Sequence, residues 1–129
     1  MQIRQLDHLV LTVKDLNKTV RFYESVLGME KVVFGQNRVA LKFGNQKINL
    51  HQAGMEFDPK AGNTVTGSAD LCFLTDLPLE QAMHEITGHE VEIIKGPVER
   101  TGANGPIISF YIRDPDQNLI EIANEKHSA

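Results

Sequence analysis

Leu9, Leu11 and Val13 alternate with His8, Val10 and Thr12, a period of two that predicts a strand with a histidine leading one face. Leu16, Val20, Tyr23 and Leu27 then recur at helical spacing. Asp15 before them is an N-capping residue, and Gly28 after them suits the left-handed backbone that ends a helix. Strands are predicted over 30–34, 38–43 and 47–52, separated by the turn-forming Gly35-Gln36-Asn37 and Gly44-Asn45-Gln46. In the last of them Ile48 and Leu50 face one way, and Lys47, Asn49 and His51 the other.

Residues 54–67 are rich in Gly, Pro and polar side chains with little periodicity, and they read as an internal linker. After them the pattern starts again. A strand is predicted over 70–74, Asp76 as a cap, and a helix with Leu79, Ala82, Met83 and Ile86 on one side and Gly88 as its stop. Strands over 91–94 and 107–113 follow, and residues 100–106 read either as a loop closing over an anionic substrate or as a plain hairpin. Asp114-Pro115-Asp116-Gln117 is turn chemistry. The chain then enters Leu119-Ile120-Glu121-Ile122-Ala123, where Leu119, Glu121 and Ala123 share one face and Ile120 and Ile122 the other.

The order strand, helix, strand, strand, strand therefore occurs twice, predicting an α+β fold of two βαβββ modules that form a curved mixed sheet around a cavity. The strand led by His8 is echoed 62 positions later by the strand led by Asp70. On the fourth strands, His51 is paired in this reading with Glu121. Module one spans about 1–53 and module two about 68–129 of one domain. A duplication of this kind can bring equivalent positions together, so His8, His51, Asp70 and Glu121 are expected to converge.

Composition narrows the function. With 129 residues and 41% hydrophobic content, the chain has enough apolar material for one real core. A net charge of −4, with 13 Lys and Arg spread along the chain, leaves no basic stripe for nucleic acid and no polybasic membrane patch. Cys72 is the single cysteine, which excludes an intrachain disulfide and fits a reducing compartment. No apolar run approaches membrane-spanning length, and residues 1–7 lack the apolar core of a signal peptide, so a cytoplasmic protein is expected.

A glutamate on an enclosed sheet face is costly unless it meets a donor, a cation or a metal. Taken singly, His8, His51, Asp70 and Glu121 are most economically read as hydrogen-bonded or solvated. Taken together at repeat-related strand positions, two imidazoles and two carboxylates suit a divalent first-row metal: Ni, Zn, Mn, Co or Fe. Cys72 reads as a core residue, and His84, His89 and His127 are not offered as ligands.

Three motifs carry a family resemblance: Leu6-Asp7-His8-Leu9-Val10-Leu11-Thr12-Val13, Phe22-Tyr23 with Leu27-Gly28-Met29, and Asp114-Pro115-Asp116 through Leu119-Ile120-Glu121. The chain resembles the vicinal oxygen chelate superfamily of glyoxalases, bleomycin resistance proteins and extradiol dioxygenases. Through Lys47-Ile48-Asn49-Leu50-His51, Gly67-Ser68-Ala69-Asp70 and Gly96-Pro97-Val98-Glu99-Arg100-Thr101-Gly102-Ala103 it is most similar to the glyoxalase domain-containing protein 5 group.

The resemblance implies a divalent metal held by the first and fourth strands of each module: His8, His51 or Asn49, Asp70 and Glu121. Asp70 departs from the histidine that most metal-dependent relatives carry there. The implied activity is a lyase or isomerase of the glyoxalase I type, chelating vicinal oxygens of a small substrate. Glu121 or His51 then moves a proton through an enediolate. The alternatives are an extradiol dioxygenase, with Tyr111 bonding the substrate, and a non-catalytic small-molecule or antibiotic-binding module, against which His8 and Glu121 argue. Arg100 is a substrate contact in this reading, and a homodimer is implied.

Overall fold

In a computed structural model, residues 1–126 are described, so His127 lies outside the described residues. The elements run β1 (His8–Val13), α1 (Leu16–Ser25), β2 (Glu30–Phe34), β3 (Arg38–Phe43), β4 (Gln46–Gln52), β5 (Asp70–Leu74), α2 (Leu79–Gly88), β6 (Lys95–Gly102), β7 (Gly105–Arg113) and β8 (Leu119–Glu125). The fold is α+β, with two mixed four-stranded sheets in the orders β1-β4-β3-β2 and β5-β8-β7-β6. Contacts divide the chain into two units that meet in sequence at Gly67 and Ser68. In each, the first strand pairs in parallel with the last and the other pairings are antiparallel. Among the described residues no helix is long and apolar enough to cross a membrane.

In the first unit the alternation read from sequence sets Leu11, Val13, Ile48, Leu50 and Leu41 on the sheet face that is buried, together with Val20 and Tyr23 of α1. Removing one such side chain from water is worth roughly 1.5–3 kcal/mol, so this face fixes the register. Asp15 caps α1 by accepting from the backbone N–H of Lys18 at 3.0 Å, and Gly28 takes a φ of 68° just after the helix. The second unit repeats the plan with Phe110, Ile112, Ile120 and Ile122 buried, alongside Leu79, Ala82 and Ile86 of α2.

Three local expectations are corrected. Asp76 does not cap α2, whose N-cap is Pro78. The carboxamide of Asn124 on β8 does the capping, its Oδ1 accepting from Leu79 N–H at 2.8 Å while Nδ2 donates to the carbonyls of Thr75 and Leu77. Gly88 is the last helical residue rather than the stop, and the left-handed backbone falls on Glu90, at φ 61°.

The strand expected over 91–94 is a connector, and the strand is β6. Gly96-Pro97 broke the hydrophobic pattern and hid it. Gly96 has φ +127°, and a Cβ there would sit 2.6 Å from the Cβ of Phe110, so only glycine lets the strand start so close to β7. Arg100 accordingly lies on β6, and residues 102–105 form a tight hairpin in which Gly102 pairs with Gly105.

Candidate functional site

Strand pairing defines one face of the second sheet. Cys72 is opposite Glu121, Glu121 is opposite Tyr111, and Ile107 is opposite Arg100. Paired residues project to the same side, so Asp70, Cys72, Glu121, Ser109, Tyr111 and Arg100 share a face. Ser109 Oγ donates to Glu121 Oε2 at 2.5 Å, and Arg100 Nε donates to Tyr111 Oη at 3.0 Å with its guanidinium 5.6 Å from that ring. A cavity of about 400 Å³ opens here, lined by Cys72, Leu74, Arg100, Ile107, Glu121 and Glu125 among others. Its lining includes a carboxylate held by a buried serine and a guanidinium.

The Cys72 thiol has exposed surface yet is crowded by this carboxylate. Burial first, and then the charge and hydrogen bond of Glu121, push it up to about 11. It is therefore protonated at neutral pH and a poor nucleophile. Ser109 was not singled out from sequence. The signal for it was its place two residues before Tyr111, on the same face.

The first sheet presents His8, Val10 and Thr12 beside Lys47, Asn49 and His51. Asp7 Oδ2 lies 2.8 Å from His8 Nδ1, and that hydrogen bond holds the Asp7 carboxyl below its ordinary range. With Nδ1 so engaged, Nε2 is the ring nitrogen left to a metal, the arrangement in which a carboxylate orients a histidine ligand. The register gives Asn49 and His51 different counterparts in the second sheet. Lys47 is opposite His8 and Leu119 is opposite Asp70, so Asn49 is the counterpart of Glu121 and His51 that of Ala123. Asn49 is two residues past the His8 row, about 7 Å along the strand, and His51 four, about 13 Å.

Asn49 and His51 are 6% and 3% exposed, and among the described residues Asn49 Oδ1 and His51 Nε2 have no hydrogen-bond partner. The His51 imidazole packs edge-on to Phe57 with centroids 5.5 Å apart, and burial, then the Arg38 charge, lower its pKa. Part of the segment read as a linker is thus laid against the first sheet.

The donors suit a divalent metal in type and in readiness. One imidazole is oriented by a carboxylate, Asn49 Oδ1 is buried without a partner, and Glu121 is steadied by Ser109. His8 and Asn49 belong to the first sheet, and Asp70 and Glu121 to the second. Among the described residues no three His, Cys, Asp or Glu side chains gather where they could hold one ion.

The profile of the Glyoxalase/Bleomycin resistance protein/Dioxygenase superfamily matches residues 5–122. The chain is 60% identical over 123 residues to Virulence protein STM3117 of Salmonella typhimurium, covering 95% of this chain and 85% of that one. It is 52% identical to the Glyoxalase domain-containing protein RDO1 of Mycosarcoma maydis, covering 96% and 70% respectively. Among solved structures, an integron cassette protein from the mobile metagenome of V. cholerae aligns with a TM-score of 0.96 at 60% identity, covering 98% of each chain.

Proposed function

Because the chain belongs to the glyoxalase/bleomycin resistance protein/dioxygenase superfamily, we propose that it is a metal-dependent lyase or isomerase of the glyoxalase I type. Its substrate in this reading is a small molecule with two adjacent oxygens and an anionic group. Superfamily members use divalent metals, and in this reading His8, Asn49, Asp70 and Glu121 would hold one. When bound, such an ion supplies Lewis-acid polarisation of the substrate oxygens.

The observation that carries the reading is Glu121, which lines the cavity with one oxygen tied to Ser109 and with Arg100 in the same wall. Glu121 takes a proton from one substrate carbon and returns it to the neighbouring carbon, with no net redox change. Ser109 keeps the carboxylate from swinging away. Arg100, its side chain braced by Tyr111, holds the anionic end so that the reacting carbons face Glu121. A homodimer accompanies this reading, and sedimentation of the metal-loaded protein measures it.

The test uses untagged protein loaded in turn with Ni, Zn, Mn, Co and Fe. Isomerisation of the methylglyoxal–glutathione hemithioacetal is followed alongside catechol-dependent oxygen uptake. Isomerisation that is lost in Glu121→Gln supports the proposal. Oxygen uptake without isomerisation overturns it in favour of ring cleavage, and neither activity with any metal overturns it in favour of a binding module.

A further inference from the structure

The fold keeps the Nε2 atom of His51 enclosed and, among the described residues, without a hydrogen-bond partner, which is costly unless a ligand completes it. Its surroundings show what kind of ligand. Val39 is opposite Leu50 in the antiparallel β3–β4 pair, so Arg38 stands beside His51 on the same face. The Arg38 guanidinium lies over two rings, 5.3 Å from the centroid of Phe34 and 4.8 Å from that of Phe57. Phe57 is also the ring against which His51 packs.

Such ring contacts brace the guanidinium, and among the described residues its N–H groups have no hydrogen-bond partner. Among the described residues no carboxylate pairs with it. The Lys47 ammonium sits 3.8 Å over Phe34, which adds a second positive charge to this face. The nearby acid is Glu56. Its charge is taken up by the backbone N–H of Gly54 at 2.5 Å and by Lys60 at 3.6 Å.

We propose that Arg38, His51 and Phe57 form an oxyanion subsite on the first unit, taking the carboxylate or phosphate group of a small ligand. The Arg38 fork donates to two oxygens, His51 donates its Nε2–H to the ligand, and Phe57 roofs the site from the segment 54–67. Neither a metal nor turnover enters, so this site stands or falls apart from the isomerase reading.

The experiment titrates protein carrying ¹⁵N-labelled histidine with inorganic phosphate and, separately, with acetate, at fixed pH and with chloride as the ionic-strength control. The His51 ring signals are assigned by their loss in His51→Gln. A saturable shift of those signals is expected with at least one of the two anions and not with chloride. Phosphate alone identifies a phosphoryl group as the ligand chemistry, and acetate alone a carboxylate. Arg38→Gln is expected to weaken that binding about tenfold or more, as loss of a charge-assisted bidentate contact does, whereas Arg21→Gln, at an exposed position of α1, leaves it unchanged. Should Arg38→Gln lose its folded spectrum, Phe57→Ala serves instead, with weaker binding expected. Equal shifts with chloride, no saturation with either anion, or full binding in the folded Arg38→Gln or Phe57→Ala protein would each overturn the proposal.

Discussion

Asn49 on β4 and Glu121 on β8 occupy the same place in their respective sheets, each two residues beyond the residue that pairs with the head of the first strand, His8 or Asp70. A second pair supports the match. Gln52 and Asn124, each five residues beyond the same reference, both spend a carboxamide on the start of the helix. Gln52 Oε1 accepts from Leu16 N–H at 3.0 Å, and Asn124 Oδ1 accepts from Leu79 N–H at 2.8 Å.

The equivalence predicts which substitution affects a metal. Asn49→Ala and Glu121→Gln are expected to lower metal affinity about tenfold or more, and His51→Ala to leave it within about twofold, since losing a ligand costs at least as much as losing a residue that orients one. Competition against a chromogenic chelator measures all three. An equal loss in His51→Ala would return that histidine to the ligand set.

Ser109→Ala removes the donor that holds Glu121 Oε2. A hydrogen bond to a charged group is worth roughly 1.5–3 kcal/mol, so kcat is expected to fall about tenfold or more with KM little changed, because Ser109 is buried and steadies the carboxylate from behind. Steady-state kinetics against hemithioacetal decide it. A loss confined to KM would make Ser109 a substrate contact instead.

The plan of two repeated units was legible because the order of strand and helix patterns recurs, with Leu9-Val10-Leu11-Thr12-Val13 and Leu119-Ile120-Glu121-Ile122-Ala123 both reading as strands. Glu121 stood out for the same reason, as a carboxylate among strand residues. What failed to show was set by pairing across strands. Periodicity places Asn49 and His51 on one face but cannot say which is opposite which neighbour, and the choice rests on the register with β1. Gly96-Pro97 hid β6 because strand propensity penalises both residues, whereas here the glycine is demanded by Phe110. The capping roles of Gln52 and Asn124 span 36 and 45 residues, beyond the reach of any local cap signal.

Asn124→Ala tests that long-range cap. Its carboxamide makes three bonds of 2.8–2.9 Å that tie the end of β8 to the entry of α2, where Pro78 has no capping side chain to offer. Loss of the cap and of the two carbonyl contacts is expected to cost about 2–3 kcal/mol in urea unfolding. Asn124→Asp, which keeps the acceptor and loses the Nδ2 donors, should recover part of it. A cost below about 0.5 kcal/mol, the scale of an ordinary surface substitution, would mean that water replaces the carboxamide.

The turn between β7 and β8 gives the last prediction. Asp114 is 2% exposed, and its Oδ1 accepts from the backbone N–H groups of Asp116 and Asn118 at 2.9 and 3.0 Å, while Oδ2 accepts from Asn118 Nδ2 at 2.8 Å. Asn118 passes the restraint on, its Oδ1 accepting from Ala69 N–H at 2.9 Å just before β5. One carboxylate therefore sets both the turn and the alignment of β5 with β8, and with it the relation of Asp70 to Glu121. Asp114→Ala strips three donors of their acceptor in a buried place, and about 3 kcal/mol or more of stability should be lost. Asp114→Asn, of the same shape but without the charge, should lose less. Because the turn also aligns Glu121, any Asp114→Asn protein that remains folded is expected to show reduced kcat against hemithioacetal. Full activity in that variant would confine Asp114 to holding the turn.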